Sequence, residues 1–395
     1  MKKELTSKEK KEYIFVIQLV SYVFGNRTNV KIPTDVDWKS VYTFSQKNKI
    51  TNIVSYALES LGVDLPVEVK KVFTSDRKFL LMKDASQFAA TQKVLSAFEK
   101  SGIDHLLVKG QFIKDTYPQP DYRVTTDVDI HINIEKLSKA KEITESLGFR
   151  TVVDGKKELI VNQPPFVEIE IHGDNGNFTD TVFSDDILKN AGLKVGSEHT
   201  YEFSINDHYV YIVEHFAKHY RDSSGMGIRM VMDMYCLYNA LKEKLDFNYL
   251  TDQLKKSGTY KFNHMLIEKG KKYFESDFTD FDAVDIFILS NGFMGNREVL
   301  TYNMQRNFEK ENGKTNNFFF NRLFPPKNDM ADEYPVLNKA GILLPVTWMC
   351  RWGKLAFGKD RKIHYNSIKV YNTYNDNAEF EYLKRIMRES GFEDF

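Results

Sequence analysis

Two alternating segments hold the residues with the most chemistry to offer. Asp127-Val128-Asp129-Ile130-His131-Ile132 interleaves polar side chains with β-branched or aliphatic ones, which predicts a strand. Side chains two apart on a strand share a face about 6.5–7 Å apart, so Asp127 and Asp129 can lean on one divalent cation from the same side. Val167-Glu168-Ile169-Glu170-Ile171-His172 repeats the pattern and puts Glu168, Glu170 and His172 on one face. If the two strands are neighbours, about 4.8 Å apart, the acids form a cluster whose repulsion needs a hard cation or protons to offset it. His131 and His172 are in phase with these acids and could be ligands or hydrogen-bonded structural groups.

Just upstream, Leu106-Leu107-Val108 runs into Lys109-Gly110, and a loop rich in proline and tyrosine leads to Arg123. Gly110 lets a polyphosphate approach the backbone closely, and the first amides of a following helix can donate to it. Lys109 is either a phosphate contact or a strand-end charge. Arg123 could bridge the carboxylates, pair bidentately with phosphate, or form a structural ion pair.

Lys109-Gly110, Tyr117-Pro118-x-Pro120, Arg123, Asp127-Val128-Asp129 and Glu170-Ile171-His172 together resemble the nucleotidyltransferase superfamily with the DNA polymerase β-like fold. More narrowly they resemble the uncharacterised bacterial nucleotidyltransferases. The resemblance implies that Asp127 and Asp129 share the metals, Mg2+ or Mn2+, and that Glu170 is the third carboxylate, beside the attacking hydroxyl, with Glu168 as the fallback. It implies a nucleotide-binding set of Lys109, Gly110, Gln111 and Arg123. The superfamily has Gly or Ser after the first glycine; Gln111 keeps the amide but loses the small hydroxyl.

His215 and His219 share a helix face, yet Glu214 precedes the first histidine and no third ligand follows, which disfavours a zinc protease. The same family resemblance instead places His219, with Arg229 and Asp233, in a helical half packed on the core. There His219 and Arg229 could reach a substrate cleft, or Arg229 and Asp233 could be a plain i,i+4 pair.

To position these residues the sequence predicts an α+β fold: a small mixed or antiparallel sheet with helices, flanked by helical regions. Apolar spacings of three and four make 1–100 helical, opened by a capping box at Thr6-x-x-Glu9. Residues 101–200 form the α/β core, with strands over 103–108, 128–134, 149–153, 157–162 and 165–172 and helices over 111–116 and 137–147. Residues 201–395 are helical, with helices over 209–219, 229–238, 249–255, 262–274 and 283–291, a polar loop over 312–317, and an aromatic, proline-punctuated tail.

The 395 residues carry 55 basic and 55 acidic side chains, a balance that argues against a polyanion-binding surface spread over the molecule. Tyr and Phe are numerous but lie at helical spacing, as core residues do, and no RNA-binding signature occurs, so nucleic acid is a disfavoured partner. Cys236 and Cys350 have no metal-ligand spacing and fit reduced, buried thiols in a cytoplasmic protein. The charged leader has no cleavage site, and no run of about 18 apolar residues predicts a membrane span, so no membrane partner is expected. Three functions stand. The first is metal-dependent transfer of a nucleoside monophosphate from a triphosphate to an unidentified hydroxyl acceptor, small molecule or protein, with release of pyrophosphate. The second is a degenerate member, suggested by Gln111, that binds a nucleotide or partner without turnover. The third is a D-x-D glycosyltransferase, disfavoured because helices and not strand-helix units precede the core.

Overall fold

A computed structural model gives the structure over residues 1–125, 128–173, 182–183, 187–312, 318–331, 334–357 and 377–393. Four helices come first: α1 (Ser7–Val23), α2 (Trp38–Lys47), α3 (Thr51–Ser60) and α4 (Val67–Lys100). The expected capping box opens α1, with Thr6 and Glu9 each accepting the other's backbone N–H.

The sheet follows: β1 (His105–Val108), α5 (Gly110–Lys114), β2 (Val128–Ile132), α6 (Leu137–Ser146), β3 (Arg150–Asp154), β4 (Glu158–Gln163), β5 (Val167–His172), β6 (Gly192–Leu193) and β7 (Thr200–Glu202). Its order is β3-β4-β5-β2-β1-β7-β6, a mixed sheet in an α+β fold. Gly148 ends the α6 turn at φ +87°, a conformation that costs glycine nothing. β2 is antiparallel to β1 and parallel to β5, with Asp129 level with Glu170 and His131 level with His172.

Period-two patterning decides which face each side chain takes. Val128, Ile130 and Ile132 join Ile169 and Ile171 in a cluster with Val94 and Phe98 of α4 and Ala140 of α6. The alternate positions of β2 point the other way, toward α7 (Ile205–Asp222), where Tyr211 meets His131.

The helical half continues with α8 (Ile228–Leu241), α9 (Phe247–Lys256), α10 (Tyr260–Phe274), α11 (Ala283–Ser290) and α12 (Arg297–Asn312). Asn312 closes α12, and the rest of the expected loop, 313–317, lies outside the described residues. Phe15 and Leu19 of α1 and Val54 of α3 share one core with Val213 of α7, Leu237 of α8 and Phe274 of α10, so helices from both ends of the chain close over the same sheet face. The turn from α7 to α8 docks tightly here. A Cβ on Gly227 would lie 2.2 Å from Asn48 Oδ1 and 2.9 Å from the Gly292 backbone. The aromatic tail folds as α13 (Phe318–Leu323), α14 (Lys327–Ala331), α15 (Val336–Lys339), α16 (Leu344–Phe357) and α17 (Asn377–Glu389). Cys236 is buried as expected, but Cys350 is exposed, because Trp348 and Trp352 take the inward face of α16 and Cys350 falls opposite them.

Candidate active site

The parallel register of β2 and β5 builds the site. Asp129, Glu170 and His172 each offer one ligand atom, and these atoms lie within 4.8 Å of one another. His172 Nε2 is 3.2 Å from Asp129 Oδ1 and 3.7 Å from Glu170 Oε2. Asp129 is buried at 6% exposure, while Glu170 and His172 are half-buried, so the group opens outward from Asp129. Glu168, two residues earlier on the same face, is exposed, and its backbone is held by the Gln87 amide of α4. Asp127 lies outside the described residues.

Lys109 closes the cluster from β1, its ammonium donating to Asp129 Oδ1 at 2.7 Å. Burial alone would raise the Asp129 carboxyl, but Lys109 and then the His172 hydrogen bond hold it well below the ordinary carboxylate range. It is therefore an anion whenever the chain is folded near neutral pH.

Lys109 itself has φ +61° and ψ −91°, a backbone conformation that a side chain with a Cβ pays for in strain. His208 of α7 offsets it: Nε2 accepts the Lys109 backbone N–H at 3.2 Å, and the ring stacks on Phe112 at 3.8 Å. The α5 helix starts at Gly110, one residue before its expected start, and no side chain caps its first turn. Gln111 turns its amide to Asp115, the residue that caps the end of the same helix, at 2.7 Å.

Arg123 points to α8. Its Nε and Nη2 donate to the two oxygens of Asp233 at 2.8 and 3.0 Å, and Nη1 donates to the Gly110 carbonyl at 3.0 Å. Tyr117 adds its hydroxyl to Asp233 at 2.7 Å. The geometry favours the structural ion pair over a phosphate contact, and the pair ties the glycine turn to α8. Asp233 takes its partner from outside its own helix, a correction to the i,i+4 pairing with Arg229. Arg229, buried, donates to the carbonyls of Lys49 and Val124 and lies against Phe293, where it holds backbone.

On α7, Tyr211 OH is 3.2 Å from His131 Nε2, and His215 stacks edge-on to His219 at 4.4 Å. Burial, then the neighbouring His172, lowers His131 to about 3, and burial likewise drives His215 well down; both are neutral in the folded protein. Glu214 accepts the Val182 N–H at 3.0 Å, which accounts for an acid beside two histidines without a protease. Sequence reasoning missed Lys218, whose ammonium is lowered by burial and by Lys109. Its position one turn beyond His215 was the available signal. It also missed the buried pair of Lys114 with Asp84, whose second oxygen accepts the Thr125 N–H. A small open cleft of about 30 Å³ lies on the α4 side, lined by Asp84, Gln87, Leu107, Gly110, Gln111 and Lys114. It shares the glycine turn with the site but none of the three clustered ligand residues.

A family model described as an uncharacterised nucleotidyltransferase matches residues 34–275, which takes in the whole sheet, the glycine turn and α7 to α10. No curated protein and no solved structure matches the chain. More than half of the sequence fits that one model, and the chain belongs to the uncharacterised nucleotidyltransferase family.

Proposed function

We propose that the protein moves a nucleoside monophosphate from a nucleoside triphosphate to a hydroxyl-bearing acceptor, small molecule or protein, and releases pyrophosphate. One observation carries this reading: the β2/β5 register sets Asp129 beside Glu170 and His172, next to the turn at Gly110, within the family match. The two carboxylates are oxygen donors that fit Mg2+ or Mn2+, and the imidazole nitrogen beside them favours Mn2+ of the two. Asp129 and Glu170 would hold the metal, with Asp127 as the further carboxylate that the D-x-D sequence offers, and the metal when bound would neutralise phosphate oxygens.

The chain's own groups do the rest. Lys109, on Asp129 at 2.7 Å, passes its charge to the incoming polyphosphate. Gly110 and Gln111 present backbone amides, and Arg123 acts as a positioning residue that fixes the Gly110 carbonyl. Glu170, the more open carboxylate, takes the proton of the acceptor hydroxyl. The acceptor oxygen bonds to the α-phosphorus as the bond from that phosphorus to the bridging oxygen breaks, and pyrophosphate leaves.

Purified protein incubated with α-labelled triphosphates, Mg2+ or Mn2+ and cell extract tests this. Label should appear on an acceptor and vanish with Asp129→Asn or Glu170→Gln. A second reading, binding without turnover, draws on the Lys109–Asp129 ion pair and on Gln111 turned to Asp115. Saturable nucleotide binding with no labelled product would put it first.

A further inference from the structure

The face that α4 turns to the sheet changes character along its length. Val94 and Phe98 pack on Ile130, Ile169 and Ile171, but the same stripe continues through Gln87 to Asp84, which are 1% and 6% exposed. Buried polar side chains cost desolvation, and apolar ones of like volume would pack this helix at least as firmly. What Asp84 and Gln87 add is a set of directed contacts, and these go to segments that carry the site.

Asp84 divides its two oxygens. Oδ1 accepts the Thr125 N–H at 2.9 Å, and Oδ2 accepts from the Lys114 ammonium. Thr125 stands two residues before Asp127 in the sequence, and Lys114 ends the five-residue helix that Gly110 opens. One carboxylate therefore joins the glycine turn to the chain that leads into β2. A turn further along α4, Gln87 holds the backbone of Glu168 by both its polar groups: its amide donates to the carbonyl, and its Oε1 accepts the N–H at 3.2 Å. Glu168 lies two residues before Glu170 on β5.

The pairing of β2 with β5 already sets Asp129 beside Glu170. It does not set where the glycine turn lies relative to them, and a helix of five residues has too few internal hydrogen bonds to hold itself in place. Arg123 ties that turn to α8, and Asp84 ties the helix behind it to α4.

We propose, resting on the nucleotidyl-transfer reading of the site, that Asp84 and Gln87 are positioning residues: they keep the glycine turn in register with the two acid-bearing strands, so that a metal and a triphosphate bound there reinforce each other. Neither residue needs to touch the substrate.

Free Mn2+ is followed by electron paramagnetic resonance in the full-length protein, with and without α,β-methylene triphosphates of the four bases in turn, corrected for Mn2+ held by the nucleotide in solution. In the native protein the analogue should tighten Mn2+ binding about ten-fold, and Mn2+ should tighten the analogue equally. Asp84→Ala and Gln87→Ala should bind Mn2+ alone as the native protein does, with the tightening cut to about two-fold. Asp84→Asn keeps an acceptor for Thr125 but loses the charge that faces Lys114, so it should fall between, and it reads the same coupling if Asp84→Ala fails to fold. A purely structural role would lower the melting temperature and leave the tightening intact, and that result would overturn the proposal. So would a loss of Mn2+ affinity without nucleotide as large as the loss of coupling. Absence of any tightening in the native protein would instead remove the nucleotidyl-transfer reading itself, and the proposal with it.

Discussion

Lys109 is the residue on which the site turns. Its ammonium neutralises Asp129 at a strained backbone position, so the same side chain competes with any cation for that carboxylate. In Lys109→Met the competitor is gone while the acids remain. Mn2+ titrated into the nucleotide-free variant should bind about ten-fold tighter, the equivalent of about 1.4 kcal/mol, while nucleotidyl transfer falls; unchanged Mn2+ affinity would remove Lys109 from this role. His208 gives a pH signature. Burial lowers it to about 3 from an unfolded value near 6.5, and its Nε2 must stay unprotonated to accept the Lys109 N–H. A histidine depressed in the folded state contributes stability that is complete above the unfolded value and is lost as pH falls toward the folded one. Melting temperature should therefore decline from about pH 6.5 downward. His208→Gln, which can keep the acceptor without titrating, should make that decline shallower, with His131 and His215 supplying the remainder, and an identical slope in the variant would rule His208 out.

At the scale of elements, α8 is joined to the glycine turn by a buried charge pair. Removing Arg123 leaves Asp233, 2% exposed, with Tyr117 but no cation. Arg123→Met should cost about 3–5 kcal/mol in chemical denaturation, and adding Asp233→Asn should restore part of it, since the uncompensated charge is then gone. Full additivity of the two losses would mean that they do not act as a pair. The strands bearing the acids were legible because alternation is strict there: β2 and β5 formed as expected, and Glu170 met Asp129 across a parallel pairing. The helices of the second half were legible from the 3.6 period. What could not be read was partnership across long sequence separations. Arg123 to Asp233, Arg229 to the Lys49 and Val124 carbonyls, and His208 to the Lys109 amide depend on how helices dock on the sheet. Local spacing carries no trace of that. The i,i+4 rule even suggested a wrong mate for Asp233.

At the scale of the molecule, one core joins α1 and α3 to α7, α8 and α10, so the site is framed by elements far apart in sequence and its ligands exist as a set only in the folded chain. A cation that binds Asp129 and Glu170 together must then stabilise the whole fold by mass action. At a free concentration one hundred times its dissociation constant the gain is about 2.7 kcal/mol, enough to move a thermal midpoint by a few degrees in a chain of this size. Mn2+ or Mg2+ should raise the melting temperature of the native protein, nucleoside triphosphate should add to that rise, and Asp129→Asn should abolish the metal-dependent part. Gly227→Ala provides the control. Its Cβ would collide with Asn48 and the Gly292 backbone and lower the melting temperature without touching the carboxylates, so the metal-dependent increment should persist on the lower baseline. If the increment disappeared with Gly227→Ala as well, metal stabilisation would be following general looseness of the fold and not the β2–β5 ligand set.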